Sequence, residues 1–383
     1  MIKIITQNLG SLRGKTFSKF SIRPMSAQAP NPSEQHDEVL FEEVGDKGLI
    51  ILNRPKALNA LNLSMVHKIQ PKLKQWESSK SAIVLKGSGD KAFCAGGDVK
   101  SLVLALSEPG GAILGQTFFR NEYSLDYSLG TYKKPVVAII HGIVMGGGVG
   151  LSVHGKYRVA TENTLFAMPE TAIGLCPDVG ATYFLPRLQG KLGLYLGLTG
   201  YRLKGTDVLH AGIATHYVPA EKISALTESL LAPGSRDVDQ ILDEYRSKDL
   251  NKKFSLDAHM GQINECFGAN TVEEIINRLK KDRTDWSERT LELLSKMSPT
   301  AMKVAKLAIE KGEKLSFGDC LKMEYRLSCS ALTREGDFYE GVRALLIDKD
   351  QKPIWNPKSL EDVTDEHVAK FFTQTPGDGD LEF

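Results

Sequence analysis

A chain of 383 residues is long enough for one large or two modest domains around a substantial core. Its 48 basic and 47 acidic residues nearly cancel, so charge gives no general reason to expect nucleic acid or an anionic membrane as partner, and no apolar run approaches the ~20 residues that span a bilayer. The cysteines (Cys94, Cys176, Cys266, Cys320, Cys329) are odd in number and lack a C-x-x-C pair, which argues against a disulfide framework or zinc site and fits a reducing compartment.

Met1 to Ser33 contains no Asp or Glu, while Lys3, Arg13, Lys15, Lys19 and Arg23 are spread among Ser, Thr and apolar residues. This is the composition of a mitochondrial transit peptide, which implies a matrix protein and keeps residues 1–33 out of fold reasoning. A basic tail with no targeting role is the alternative. Val39 to Val44 and Leu49 to Leu52 read as strands around a Gly45–Gly48 turn. The next helix has Asn62 as N-cap and Met65, Ile69, Leu73 and Trp76 at helical spacing, with a kink or break expected at Pro71. Lys56, just before it, either reaches a ligand phosphate or only solvates its loop.

Ser81 to Lys86 is the third strand, followed by a G-x-G-x-x-A run from Gly87 to Ala92. That run imitates a dinucleotide fingerprint, but a helix should begin inside such a fingerprint, and none starts before Val99. The Ala95-Gly96-Gly97-Asp98 turn lets backbone amides be exposed and gives the helix a cap in Asp98. Cys94 has no base nearby in sequence and reads as a packed thiol. Leu104 to Gly115, with Pro109-Gly110-Gly111, reads as an irregular loop that could cover a site. A helix over Thr117 to Leu129 carries Glu122 and Asp126 one turn apart, for which a solvated face is the default reading.

Val136 to Ile140 is a buried strand bounded by Pro135 and His141-Gly142, and Gly146-Gly147-Gly148 then opens an apolar helix. The first amides of a helix have no partner within it, so this turn is either a site for developing negative charge on oxygen or a tight turn needed for packing. After a strand at Tyr157 to Ala160, the run Leu165-Phe166-Ala167-Met168-Pro169 ends in Glu170, and Cys176-Pro177 leads to Asp178. Two acids at the ends of apolar runs, near a glycine turn, form a candidate acid/base pair. Met168, Pro169 and Ile173 around Glu170 should hinder its ionic solvation and raise its pKa. From Lys204 onward 3.6-residue apolar spacing dominates, with Pro299 at the first turn of one helix after Ser298. Gly377 to Phe383 reads as a disordered tail.

Taken in order, N-R-P-K-A-L-N-A-L, F-C-A-G-G-D, H-G-I-V-M-G-G-G-V-G-L and M-P-E-T-A-I-G-L-C-P-D-V-G resemble the crotonase (enoyl-CoA hydratase/isomerase) superfamily. F-F-R-N-E-Y, M-E-Y-R-L-S and E-G-V-R-A-L-L-I-D-K-D are similar to its 3-hydroxyisobutyryl-CoA hydrolase branch. The resemblance implies an α/β fold: a crotonase-like spiral of ββα turns over 34–220, with a helical C-terminal part over 221–383 packed on it. It implies an oxyanion hole from the amides of Gly97 and Gly147, and a CoA arm along Lys56 and Lys91 to Cys94. It makes Glu170 and Asp178 the catalytic pair, and Glu122, Gly147, Glu170 and Asp178 the substrate contacts. It further implies an acyl-CoA substrate whose CoA is its own, with no metal or separate cofactor, and leaves a homo-oligomer open. Family hydratases carry a second glutamate where this chain has Gly150, which favours hydrolysis over hydration. An enoyl-CoA hydratase or isomerase is the alternative, and a non-catalytic acyl-CoA-binding subunit a third reading.

Overall fold

In the computed structural model the described residues are 37–234, 236–247, 252–377 and 379–383, so the expected transit peptide lies outside them. Asp37–Phe383 forms one unit. It opens with β1 (Val39–Val44) and β2 (Lys47–Leu52), an antiparallel hairpin, and α1 (Leu63–Ser79). Next come β3 (Ala82–Gly87), β4 (Ala92–Cys94), α2 (Val99–Ala105), α3 (Gly111–Gly130), β5 (Val136–Ile139), β6 (Ile143–Met145) and α4 (Gly147–Val153). The strands β7 (Tyr157–Ala160), β8 (Leu165–Ala167), β9 (Leu203–Lys204) and β10 (His216–Tyr217) complete two sheets.

From β3 to β8 successive strands alternate between these sheets. β1, β2, β3, β5, β7 and β10 lie in that order in a six-stranded sheet, parallel from β2 onward, while β4, β6, β8 and β9 form a four-stranded one. After the opening hairpin, the strand pairs β3/β4, β5/β6 and β7/β8 each add one strand to each sheet, which is the spiral expected. The central strands β2, β3, β5 and β7 of the larger sheet are buried on both faces, so they alternate between two apolar layers rather than between core and solvent. Ile83, Leu85, Val136 and Ala138 face a layer with Trp76, Ile69 and Leu73 of α1. Ala82, Val84, Val137 and Ile139 face the other way, toward Leu226, Leu230 and Leu242.

Asn62 caps α1 by accepting from the Met65 amide at 2.9 Å, as its position in the sequence predicts. Pro71 does not break α1, which runs on as one helix. The buried stripe Met65, Val66, Ile69, Leu73 and Trp76 anchors both of its halves to the sheet, outweighing the one backbone hydrogen bond a proline removes. The expected loop over Leu104 to Gly115 is also corrected, because α3 begins at Gly111. A Cβ on Gly111 would lie 1.8 Å from the Ala105 carbonyl oxygen, so the glycines form a tight reversal between two helices.

Beyond β10 the described chain is almost wholly helical. It includes α5 (Pro299–Gly312), capped by Ser298 through the Ala301 amide at 2.9 Å, and α6 (Phe317–Ala331), which packs along α3. The tail expected to be disordered is instead docked. Leu381 is buried, the Phe383 ring stacks on Tyr127 at 4.0 Å, and Arg326 Nε donates to Asp380 at 2.6 Å. Two apolar side chains and a charge matched to α6 give this segment contacts that its polar glycine-rich sequence conceals. Among the described residues no helix is long and apolar enough to cross a membrane.

Candidate active site

β4, β6 and β8 are neighbouring parallel strands, and each runs directly into a segment that carries candidate site residues. β4 leads into Ala95-Gly96-Gly97, β6 into Gly146-Gly147-Gly148, and β8 into Met168-Pro169-Glu170. Adjacent strands pointing the same way deliver their C-terminal connections to one edge of the sheet, so both glycine turns and Glu170 meet there. A Cβ on Gly146 would lie 3.0 Å from Glu170 Oε1 and 3.6 Å from Gly96 Cα. One on Gly147 would lie 3.1 Å from the Gly97 nitrogen and 2.4 Å from Glu122 Oε1. The structure thus brings together Gly97, Gly147, Glu170 and Glu122.

The backbone orients the two amides. Gly97 forms a parallel bridge with Leu61, in which Leu61 donates to the Gly96 carbonyl at 2.8 Å and Asp98 donates to the Leu61 carbonyl at 2.7 Å. With its neighbours' groups turned toward Leu61, the Gly97 N–H faces the opposite side, toward Gly147. Gly146, at φ 46° and ψ −123°, adopts a conformation open essentially to glycine and so turns the chain into α4. Gly147 is the first residue of that helix, where an N–H has no partner one turn back. The Gly148 position is closed to side chains for another reason: a Cβ there would lie 2.1 Å from the Cys94 carbonyl oxygen.

Around this pair the described residues gather five buried acids: Glu122, Asp126, Glu170, Asp178 and Glu324. Glu170 opens a short 3-10 turn after Pro169, and its Oε2 has no hydrogen-bond partner. Burial, reinforced by Asp178 and Glu324, holds its carboxyl well above the usual range, as its apolar neighbours predict. Burial, then Asp178 and Glu170, does the same to Glu122, whose Oε1 is also unpartnered. Asp178 accepts from the Tyr123 hydroxyl at 2.6 Å, and that hydroxyl also meets Ser328 Oγ at 2.7 Å. Burial raises Asp178 to about 6, with the Tyr123 and Ser328 hydrogen bonds acting against it.

Sequence reasoning left Asp126, Tyr123, Ser328 and Glu324 without a role. Asp126 is wholly buried with neither oxygen partnered, and burial and Glu122 keep it well above an ordinary aspartate. Its default reading as a solvated acid fails because this face of α3 turns toward Gly150 of α4. Glu324 accepts from the amides of Gly180 (2.6 Å) and Thr182 (2.8 Å) and from Thr182 Oγ1 (2.6 Å). The signal for Glu324 and Ser328 was present, since both lie in the M-E-Y-R-L-S segment. Lys56 stays exposed on the turn Pro55–Ala57, and burial pushes the Cys94 thiol up to about 12, as suits a packed group. Among the described residues no group of His, Cys, Asp and Glu side chains is arranged to hold a metal ion.

Residues 47–372 match the family model described as enoyl-CoA hydratase/isomerase. The chain belongs to the enoyl-CoA hydratase/isomerase family. It is 52% identical over 355 residues to the mitochondrial 3-hydroxyisobutyryl-CoA hydrolase of Homo sapiens, covering 91% of each chain. The corresponding protein of Danio rerio is 53% identical over 351 residues, covering 89% of this chain and 91% of its own. Among solved structures, a carnitinyl-CoA dehydratase from Mycobacterium thermoresistibile superposes with a TM-score of 0.84 at 39% identity, covering 91% of this chain and 99% of that one. In this member of the enoyl-CoA hydratase/isomerase family, the space beside Gly150 is already filled. A Cβ there would lie 2.7 and 2.8 Å from the two Asp126 carboxyl oxygens and 2.7 Å from Val179 Cβ.

Proposed function

We propose that this chain hydrolyses 3-hydroxyisobutyryl-CoA, and also 3-hydroxypropionyl-CoA, to the free hydroxy acid and CoA in mitochondrial valine breakdown. The names of its half-identical relatives support the substrate class and compartment. The observation that carries the chemistry is a buried glutamate oxygen, Glu170 Oε2, left without a partner beside two converging glycine turns. The thioester carbonyl oxygen sits between the Gly97 and Gly147 amides, which stabilise the tetrahedral oxyanion; one donor of this kind contributes about 2.7–4 kcal/mol.

Glu170, ionised, takes a proton from water as the water oxygen bonds to the thioester carbon. Collapse of the tetrahedral intermediate breaks the carbon–sulfur bond, and the proton passes from Glu170, by way of Asp178, to the departing thiolate. The raised pKa of Glu170 makes its ionised form a stronger base toward water, while reducing that form's share, and keeps the abstracted proton on the carboxyl until the thiolate departs. Glu122, at the rim of the amide pair, recognises the 3-hydroxyl. As the neutral acid that burial favours, it both donates to and accepts from that group.

Release of free thiol from 3-hydroxyisobutyryl-CoA, isobutyryl-CoA and crotonyl-CoA tests the proposal. Rapid release from the first and slow release from the second is the expected result. Equal rates on these two reject hydroxyl recognition, and loss of crotonyl-CoA absorbance without free thiol makes the protein a hydratase.

A further inference from the structure

The segment that carries Asp178 holds a conformation its own sequence disfavours. Val179 has φ +53°, in the left-handed region where a β-branched residue is a true outlier. Strain of this kind persists only where the surroundings over-determine it. On one side, Val179 Cβ is packed against the bare backbone of Gly150. On another, His154 Nε2 meets the Val179 carbonyl oxygen at 2.7 Å, and because a carbonyl can only accept, the ring nitrogen donates. Tyr123 holds the Asp178 carboxylate from above.

The remaining support is Glu324, whose carboxylate reaches from α6 to the Gly180 and Thr182 amides and the Thr182 hydroxyl. It is wholly buried, and both of its oxygens are committed to these donors. We propose that Glu324 is a positioning residue: by gripping Gly180 and Thr182 it holds Val179 in its left-handed conformation and so fixes the Asp178 carboxylate in the site. Without the grip Val179 relaxes to negative φ, the peptide on its N-terminal side rotates, and Asp178 leaves Tyr123. The inference rests on the role given to Asp178 above.

Glu324→Gln tests it, because glutamine has one acceptor oxygen and its NH2 must face a donor where a carboxylate oxygen stood. The variant should lose about 10- to 100-fold in kcat, less than the ~10²–10⁴ that acid–base catalysis supplies because Asp178 is displaced rather than removed, with KM little changed. Adding Val179→Gly should recover most of that loss, since glycine adopts positive φ freely, whereas Val179→Ala should not. Rescue of this kind separates positioning from a general contribution to stability. Unchanged kcat in Glu324→Gln overturns the proposal, as does a double variant in which Val179→Gly restores the melting temperature but not kcat. Should Glu324→Gln not fold, Thr182→Val removes one of the three donors while keeping shape, and Val179→Gly must rescue it in the same way. If the wild type releases no thiol, the hydrolase reading fails by itself, and the same kcat comparison proceeds on whichever acyl-CoA reaction the wild type catalyses.

Discussion

Replacing Gly147 by alanine puts a single carbon where the substrate's carbonyl oxygen is expected. The new Cβ would stand 3.1 Å from the Gly97 nitrogen, within the 2.7–3.1 Å at which an oxyanion-hole donor meets its oxygen. The backbone allows the change, because Gly147 is helical and is not among the glycines with positive φ. Its severe clash, at 2.4 Å, is with Glu122 Oε1, the far end of a side chain that can withdraw. Alanine gains about 1 kcal/mol over glycine in helix propensity and loses about 1–3 kcal/mol to overpacking, so the fold changes by about 2 kcal/mol or less. The reaction loses far more. Blocking the amide pair should lower kcat by at least the ~10²–10³ that one lost donor costs. Thiol release measured beside a thermal melt reads both quantities. A Gly147→Ala enzyme that folds and turns over at the wild-type rate would refute the two-amide site.

Asp178 makes stability depend on pH in a direction opposite to that of a salt-bridged acid. Its pKa rises from 3.8 to about 6 on folding, so the unfolded chain releases the proton first and the fold is progressively destabilised across that window, fully so above it. Asp178→Asn should therefore melt higher than wild type at neutral pH, with the advantage gone below about pH 4, while its turnover falls about 10²–10⁴-fold; a lower melting temperature at neutral pH would contradict this. Glu122→Gln, which preserves a neutral hydrogen-bonding group, should keep the preference for 3-hydroxyisobutyryl-CoA over isobutyryl-CoA, and Glu122→Ala should reduce it about fivefold, as expected for one hydrogen bond of about 1 kcal/mol. Ratios of kcat/KM for the two esters check this. The Cys94 thiol, buried and pushed up to about 12, should survive treatment of the native enzyme with iodoacetamide; inactivation that tracks labelling of Cys94 would make it a reactive group.

Much of the fold is legible locally. Asn62, Asp98 and Ser298 each announce a helix by the amide they accept from, and the β-rich apolar runs fall on the observed strands. The two glycine turns and Glu170 can be seen as candidates, but not as neighbours. Their convergence depends on β4, β6 and β8 lying side by side, a pairing that spans separate turns of the spiral. The buried acids were harder still. Glu122 and Asp126 at one-turn spacing look like a wet helix face until the fold turns them toward the glycine turns and Gly150 of α4. Glu324 stands in a segment the sequence singles out, but its role cannot be read there, because its partners Gly180 and Thr182 lie in another region of sequence. The docked tail depends on Tyr127 and Arg326, side chains that local composition does not place nearby.

The most direct measurement is a crystal structure of Glu170→Gln, which should bind but not hydrolyse its ester, with 3-hydroxyisobutyryl-CoA in place. The thioester oxygen is expected about 2.7–3.1 Å from both the Gly97 and Gly147 nitrogens, with the thioester carbon facing the residue 170 side chain. A thioester lodged away from the two glycine turns, or an active Glu170→Gln enzyme, would contradict the account.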